Sequence, residues 1–388
     1  MKTAEKYLWG IVGLGFVLRL GFVLTLKPDF YFGDESLYHT MAVNFLAGLG
    51  LNYGGFFQAF RPPLFPLLAA FVHGLGGGLV AVRILNVLLS TLTLYFIYFL
   101  GKELFGERVG LGAAGISAVW PFFIFYNGFY LTEPLYLLLT VAFTFYLVCS
   151  IKEPSPSNLF LSGLLLGLNL LCRPTLLFLS PFLLLLFVLA QRKIKPVFYI
   201  GLFCLLTLSP WIVRNYRILN AFVPGTTMGG RVFYEGNNPY SVGGPCQVFP
   251  EDTEKLPEIE RDRTYYRLTL QLIWENPARF RWLLMNKFKR LWSLVPNAAG
   301  FQAPLYRNIS LLAMAPTLPF FIFGFFLSFR FWRTTAFLAI QIIYITIFHM
   351  VVLASIRYRL PIEPFYLILA VFGFNSSGGF LTGSGRKR

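Results

Sequence analysis

The sequence predicts an all-α polytopic membrane protein of about ten transmembrane helices, with juxtamembrane helices and one loop domain outside the bilayer. Three observations carry that expectation. Hydrophobic residue types make up 56% of the 388 residues and charged types only 13%, against about 25% charged in an average soluble domain. Phenylalanine alone occurs 44 times, more apolar surface than a soluble core can use but well suited to helices that face lipid. Ten apolar runs recur along the chain, and the Lys and Arg of the short loops between them fall on one side, as the positive-inside rule requires.

The runs lie at about 7–26, 79–100, 109–126, 134–151, 158–172, 175–190, 196–213, 309–329, 334–354 and 360–374. The first is long enough to span. No small-residue cleavage site follows it, so it is expected to be a retained anchor. A further apolar stretch at about 62–76 opens with Pro62, Pro63 and Pro66 and closes in Gly74 and Gly76 to Gly78. It is short for a span and suits an interfacial or re-entrant helix. Charge parity supports that choice. If 62–76 does not cross, Lys2/Lys6, Lys102/Arg108, Lys152, Arg192/Lys193/Lys195, Arg330/Arg333 and the terminal Arg386-Lys387-Arg388 share one side. Ten spans then place both termini in the cytoplasm, the arrangement expected of a multi-pass plasma (inner) membrane protein.

The expected organisation follows. Residues 1–213 form a transmembrane core whose first external loop, 27–78, carries juxtamembrane helices at about 34–48 and 62–76. Residues 214–308 form an external segment. Its first half is rich in Gly and Pro. Its second half carries an amphipathic helix at about 277–292, where Phe280, Leu283, Leu284, Phe288, Leu291 and Trp292 recur at helical spacing among Arg279, Arg281, Lys287, Lys289 and Arg290. A basic helix with Trp suits the headgroup region. Residues 309–374 complete the transmembrane helices, and 375–388 read as a flexible cytoplasmic tail.

Net charge is +16. Cytoplasmic Lys and Arg account for part of it, and an anionic substrate is the sharper reading of the rest. No soluble basic domain is present to bind nucleic acid. Cys149, Cys172, Cys204 and Cys246 show no metal or redox spacing. P-loop, G-x-G-x-x-G, G-x-S-x-G and H-E-x-x-H motifs are missing. No metal or other cofactor is indicated.

The chemistry-bearing residues gather on the external side. Asp34 and Glu35 stand just past the first span, at the start of a helix in which Leu37, Met41 and Phe45 share a face. An N-cap explains one acid here, less easily two, and Arg61 returns to the same side. Asp34 and Glu35 are therefore candidate catalytic carboxylates. Glu133, between Thr132 and Pro134, stands at another outer boundary, where capping is the competing reading. Arg61, Arg173, Arg214, Arg357 and Arg359 sit in external turns or at outer span ends, where the positive-inside bias disfavours them. Each alone fits a side chain reaching for headgroups. Five beside three carboxylates suit a phosphate site, because the guanidinium fork binds phosphate bidentately. Arg19, inside the first span, suits a buried structural pair. His39 shares a helix face with Glu35, but two ligands make no metal site; His73 and His349 stand alone.

In order and membrane side, these motifs resemble the GT-C membrane glycosyltransferases. They are Asp34-Glu35, Arg61-Pro62-Pro63-Leu64-Phe65-Pro66, Thr132-Glu133-Pro134-Leu135, Cys172-Arg173-Pro174-Thr175, Pro210-Trp211-Ile212-Val213-Arg214-Asn215-Tyr216, Glu235-Gly236-Asn237 and Arg357-Tyr358-Arg359-Leu360-Pro361. The nearest branch is that of protein O-mannosyltransferases and the lipid A aminoarabinose transferase, glycosyltransferase family 39. The resemblance implies inverting transfer of a sugar from a polyprenyl-phosphate donor to a lipid, glycan or protein acceptor at the outer face. It implies that Asp34 is the acid near the acceptor and that Glu133 matches a second external acid, Asp in many members. The Trp-Trp-Asp motif of oligosaccharyltransferases is missing. On this reading the arginines, Arg61 and Arg357/Arg359 foremost, bind the donor phosphate, and Asp34 takes the acceptor proton. A transporter or flippase of polyprenyl-linked sugars also needs an anion site, but would carry inverted repeats and broken helices. A polymerase or ligase of lipid-linked glycans would differ in donor type.

Overall fold

A computed structural model describes residues 2–296 and 303–381. Among these residues the chain is helical apart from loops and one isolated bridge between Tyr53 and Phe57. Helix is what apolar segments must form in lipid, since it satisfies every backbone donor and acceptor within the segment.

Each of the ten apolar runs becomes helical, though not always as one piece. The first becomes α1 (Lys2–Leu24). The loop after it folds into α2 (Gly33–Leu46) and α3 (Leu64–Gly74), helices over the two stretches expected to be juxtamembrane, which pack on each other. The second run is α4 (Leu79–Phe105). The third breaks into α5 (Glu107–Ala118) and α6 (Pro121–Asn127), bent by 53°. Pro121 explains the break: it lacks an N–H and starts a new helix at its first turn. Next come α7 (Glu133–Lys152) and α8 (Pro156–Cys172). The run at 175–190 divides into a 3-10 turn at Pro174–Leu176 and α9 (Ser180–Gln191), again around a proline, Pro181. The seventh run is α10 (Lys195–Leu219).

The segment 214–308 holds α11 (Gly229–Glu235), α12 (Glu251–Glu254), α13 (Glu258–Glu275) and α14 (Pro277–Leu291). The last is the expected amphipathic helix, capped by the Asn276 side chain, which accepts from the Arg279 amide. The chain ends in α15 (Pro304–Ser328), α16 (Trp332–Val351) and α17 (Glu363–Leu381), with a 3-10 turn at Ile356–Ile362 before α17. Helix therefore continues to Leu381, into the stretch expected to be a flexible tail; 382–388 lie outside the described residues.

Five segments are long and apolar enough to cross a membrane, one of them the 48-residue stretch that holds both α15 and α16, and the bent pair α5/α6 makes a sixth. The helices α8 and α9 are apolar but shorter. The core lies where α4, α5, α7, α8, α9, α10, α16 and α17 meet, around Phe143, Leu147, Leu183, Phe187, Phe337 and Phe365. Close approach is built from small residues: a Cβ at Gly324 would lie 2.0 Å from the Leu369 carbonyl oxygen, and one at Gly163 would lie 2.5 Å from that of Ile200. Arg19 is fully buried in α1. Its partners are the Ser90 hydroxyl (2.8 Å) and the carbonyls of Gly15, Ser117 and Ala118. The expected buried pair is thus met by dipoles at the broken C-terminus of α5 rather than by an acid.

Candidate active site at the end of the helix bundle

A cavity of about 1300 Å³ opens where α2, α11, the start of α7, the end of α8 and the turn before α17 converge. The start of α2 determines what faces it. Glu35 stands at the third helical position and reaches back to the free amides ahead of the helix. Its Oε1 accepts from the amides of Tyr31 (2.7 Å) and Phe32 (2.8 Å), and its Oε2 from that of Tyr130 (2.8 Å). These contacts satisfy donors that a helix start leaves orphaned and pin α2 to the loop before α7. Glu35 is fully buried, with the Arg83 guanidinium 4.0 Å away, and does not line the cavity. Asp34, one residue earlier, points about 100° away around the helix and does line it.

From Asp34 an ionic chain runs across the cavity wall. Arg61 donates to Asp34 Oδ1 at 2.6 Å and Arg357 to Oδ2 at 2.9 Å. Arg357 also donates through Nε to Glu133 Oε1. Arg173 donates to that same oxygen at 2.5 Å and to the Thr132 hydroxyl at 2.7 Å. Aromatic faces back the guanidiniums: Tyr38 lies 5.7 Å from Arg61, Tyr136 5.7 Å from Arg173, and Phe32 6.0 Å from Arg357. Three guanidiniums share two carboxylates, so the chain carries one net positive charge. Two of its polar atoms, Arg61 Nε and Glu133 Oε2, are buried without a hydrogen-bond partner. Burial alone raises the Asp34 pKa, but Arg61 and Arg357 outweigh it and hold this carboxyl well below the usual carboxylate range. The site is built to keep its acids ionised and its arginines charged, and its surplus charge suits an anion.

The other expected residues lie elsewhere. Arg214, on the last turns of α10, donates to the carbonyls of Gln58 (2.6 Å) and Leu51 (2.9 Å) and stacks on Trp211 at 4.8 Å. It braces the loop that leads to Arg61. Arg359 is buried, pairs with Glu363 at 2.9 Å, and donates to the carbonyls of Leu291 and Ser293. Glu363 also accepts from the Trp120 indole at 2.7 Å. Neither arginine lines the cavity, so the expected group of five converges as three: Arg61, Arg173 and Arg357. His39 and His73 face each other with ring centroids 5.1 Å apart. Among the described residues, no three His, Cys, Asp or Glu side chains are placed to share a metal ion.

Two acids of the 214–308 segment also bear on the site: Glu258, which sequence reasoning missed, and Glu235, which entered it only through the Glu235-Gly236-Asn237 motif. Glu258 accepts from the amides of Gln58 (2.7 Å) and Ala59 (2.9 Å) and from the Thr227 hydroxyl, fastening the Arg61 loop to α13. Glu235, at the end of α11, lines the cavity. An acid in a polar segment costs little to expose, so Glu258 carries no signal of the kind a charge at a membrane edge gives, and Glu235 is marked only by its motif.

The lining of the cavity divides by chemistry into two arms. One is apolar, lined by Leu177, Phe178, Phe222, Ile345, Ile347 and Phe348. It opens outward, with Phe178 66% and Phe222 72% exposed. The other is lined by the external segment, through Arg231, Glu235, Gln247, Phe249 and Tyr266.

A family model described as dolichyl-phosphate-mannose-protein mannosyltransferase matches residues 60–213. No curated protein sequence matches the chain. Among solved structures, ArnT from Cupriavidus metallidurans in the apo state superposes with a TM-score of 0.60 at 16% identity, over 98% of this chain and 63% of that one. ArnT bound to undecaprenyl phosphate gives 0.52 at 14% identity, over 96% and 62%. The archaeal oligosaccharyltransferase AglB from Archaeoglobus fulgidus, in complex with an inhibitory peptide and a dolichol-phosphate, gives 0.58 at 10% identity, over 99% and 52%. The chain thus spans about half to two thirds of the length of these proteins. Over 96–99% of its length the chain shares the helical fold of these solved proteins, and the family match falls on residues 60–213 of it.

Proposed function

We propose that this protein is an inverting glycosyltransferase that moves one sugar from a polyprenyl-phosphate donor to an acceptor at the outer face of the plasma membrane, with ten spans and both termini cytoplasmic. The observation that carries the reading is the net-positive chain Arg61–Asp34–Arg357–Glu133–Arg173, placed where an apolar, outward-opening arm meets an external one. A polyprenyl tail suits the apolar arm, leaving phosphate and sugar beside the guanidiniums. ArnT and AglB have each been solved with a polyprenyl phosphate bound, which supports a donor of this class.

In this mechanism Arg61 and Arg357 exchange part of their hold on Asp34 for the donor phosphate. As the bond between the anomeric carbon and the phosphate oxygen breaks, its electron pair goes to that oxygen. Arg61, Arg173 and Arg357 stabilise the growing charge. Glu133 positions Arg173 and Arg357. The acceptor hydroxyl attacks from the opposite face and its proton passes to Asp34, now relieved of part of its ion pairing. General-base assistance of this kind is worth about 10²–10⁴ in rate. Glu35, closed into the helix start, takes no part.

The test uses purified protein in liposomes with radiolabelled polyprenyl-phosphate mannose and related donors. Donor hydrolysis or transfer to a crude envelope extract is expected, falling at least about 10²-fold in Asp34→Asn. Full activity in Asp34→Asn would remove the base assignment. Movement of the donor between leaflets without any turnover would replace the transferase with a transporter.

A further inference from the structure

The external arm of the cavity differs in chemistry from the donor half. Its polar and aromatic lining comes from α11, α13 and the loop between α11 and α12, all outside any candidate span. Whatever enters here arrives from water rather than along the lipid. Glu235 presents a carboxylate with no ion pair among the described residues, whereas Asp34 and Glu133 are each held by two guanidiniums. Arg231 is already engaged, pairing with Glu254 at 3.4 Å and stacking on Phe249 at 4.2 Å. No free cation is therefore offered to an anionic ligand by these two residues. Gln247 adds an exposed amide.

Tyr266 completes the arm, and its placement is built. A Cβ at Gly229 would lie 2.1 Å from the Tyr266 hydroxyl oxygen, so the glycine lets α11 close on the ring. Phe233 supports it at 6.0 Å between centroids. The ring still keeps 40% exposure, toward the cavity. A carboxylate with two acceptor oxygens, an amide and an aromatic face together match a neutral polyhydroxylated ring. Vicinal hydroxyls donate to the carboxylate and amide, and the apolar face of the sugar lies on the aromatic. Burial raises the Glu235 pKa, partly offset by Arg231 and by a hydrogen bond from the Cys246 amide, and the carboxylate still has lone pairs to accept from a ligand.

We propose that this arm is the acceptor subsite and that it takes a neutral glycan, with a hydroxyl of the incoming sugar donating to Glu235 and its ring lying on Tyr266. The inference rests on the transferase reading above and names the acceptor class for that same site. The experiment labels a crude envelope extract with the radioactive donor and asks what carries the label. Label in protease-resistant, periodate-sensitive material supports the proposal; label released by protease overturns it in favour of a peptide acceptor. Two substitutions, Glu235→Gln and Tyr266→Leu, then localise the site. Each is expected to raise the amount of extract needed for half-maximal transfer at least about tenfold, the scale of one lost hydrogen bond to a charged group, with the KM for the labelled donor unmoved. If both leave the extract requirement unchanged, the subsite is elsewhere. If the wild type neither hydrolyses donor nor transfers label, the donor reading itself has failed, an outcome distinct from transfer that ignores both substitutions.

Discussion

Arg357 and Arg359 stand two residues apart on the same 3-10 turn and have opposite fates. Arg359 turns into the bundle, where Glu363 and two backbone carbonyls occupy its fork. Arg357 turns to the cavity, where it divides its donors between Asp34 and Glu133, each already held by another arginine. One arginine is consumed by the fold; the other sits in a chain with charge to spare. A buried cation is affordable in either setting, but only the second leaves the protein able to exchange a partner for a ligand. Arg19 and Arg214 belong with Arg359, their donors directed to carbonyls and hydroxyls.

The comparison breaks most sharply on Arg359→Ala. That change leaves Glu363 buried and without its cation, a loss of about 3–5 kcal/mol. The expected result is a large fall in thermal stability of detergent-solubilised protein. Arg359→Met with Glu363→Leu should recover much of it, because a matched apolar pair avoids the uncompensated charge. Failure of the double variant to recover would mean that the other partners left open, the carbonyls of Leu291 and Ser293 and the Trp120 indole, outweigh the ion pair.

Arg357→Ala should do the reverse. Asp34 keeps Arg61 and Glu133 keeps Arg173, so the folded state retains paired acids. Use of the polyprenyl-phosphate donor should instead fall about 10²–10³-fold in kcat/KM, the usual cost of one donor aimed at a developing charge. A loss of stability with unchanged donor kinetics would place Arg357 with Arg359.

Much of this was legible before the structure because the membrane makes polarity conspicuous. Apolar runs had to be helices, and ionised side chains at their outer ends had to have a reason; Asp34, Arg61, Glu133, Arg173 and Arg357 were all found that way. Direction was not legible. Asp34 and Glu35 are adjacent, and Arg357 and Arg359 stand two residues apart on one turn, and composition cannot say which of two neighbours faces the cavity. That depended on Glu35 being taken by three backbone amides. Helix breaks were only half legible. Pro121 and Pro181 stand in the sequence, yet the apolar runs around them read as unbroken. The acceptor arm was barely legible: Glu235 stood in the Glu235-Gly236-Asn237 motif without a role, and Tyr266 lies in a segment where polar and aromatic residues are ordinary.

That arm also supplies the mildest test. Asp262, on α13, accepts from the Gly230 amide at 2.7 Å and so fixes α11, with Glu235 at its end, against Tyr266. Burial pushes the Asp262 pKa up to about 6, against the Gly230 amide and Arg261, which lower it, and with Glu258 adding to the rise. The folded form therefore holds its proton more tightly than the unfolded chain. Stability from this group is intact below the ordinary Asp pKa, is lost as pH rises between about 4 and 6, and stays lost above. Asp262→Asn keeps an oxygen for the Gly230 amide and cannot ionise. It should raise the apparent Tm at pH 7.5 relative to wild type, by an amount on the order of 1–3 kcal/mol in stability, and show no gain at pH 4. Parallel Tm profiles for the two proteins from pH 4 to 7.5 would mean that the Gly230 amide stabilises the charged form enough to offset burial. The contact between α11 and α13, and the acceptor arm built on it, would then be insensitive to pH.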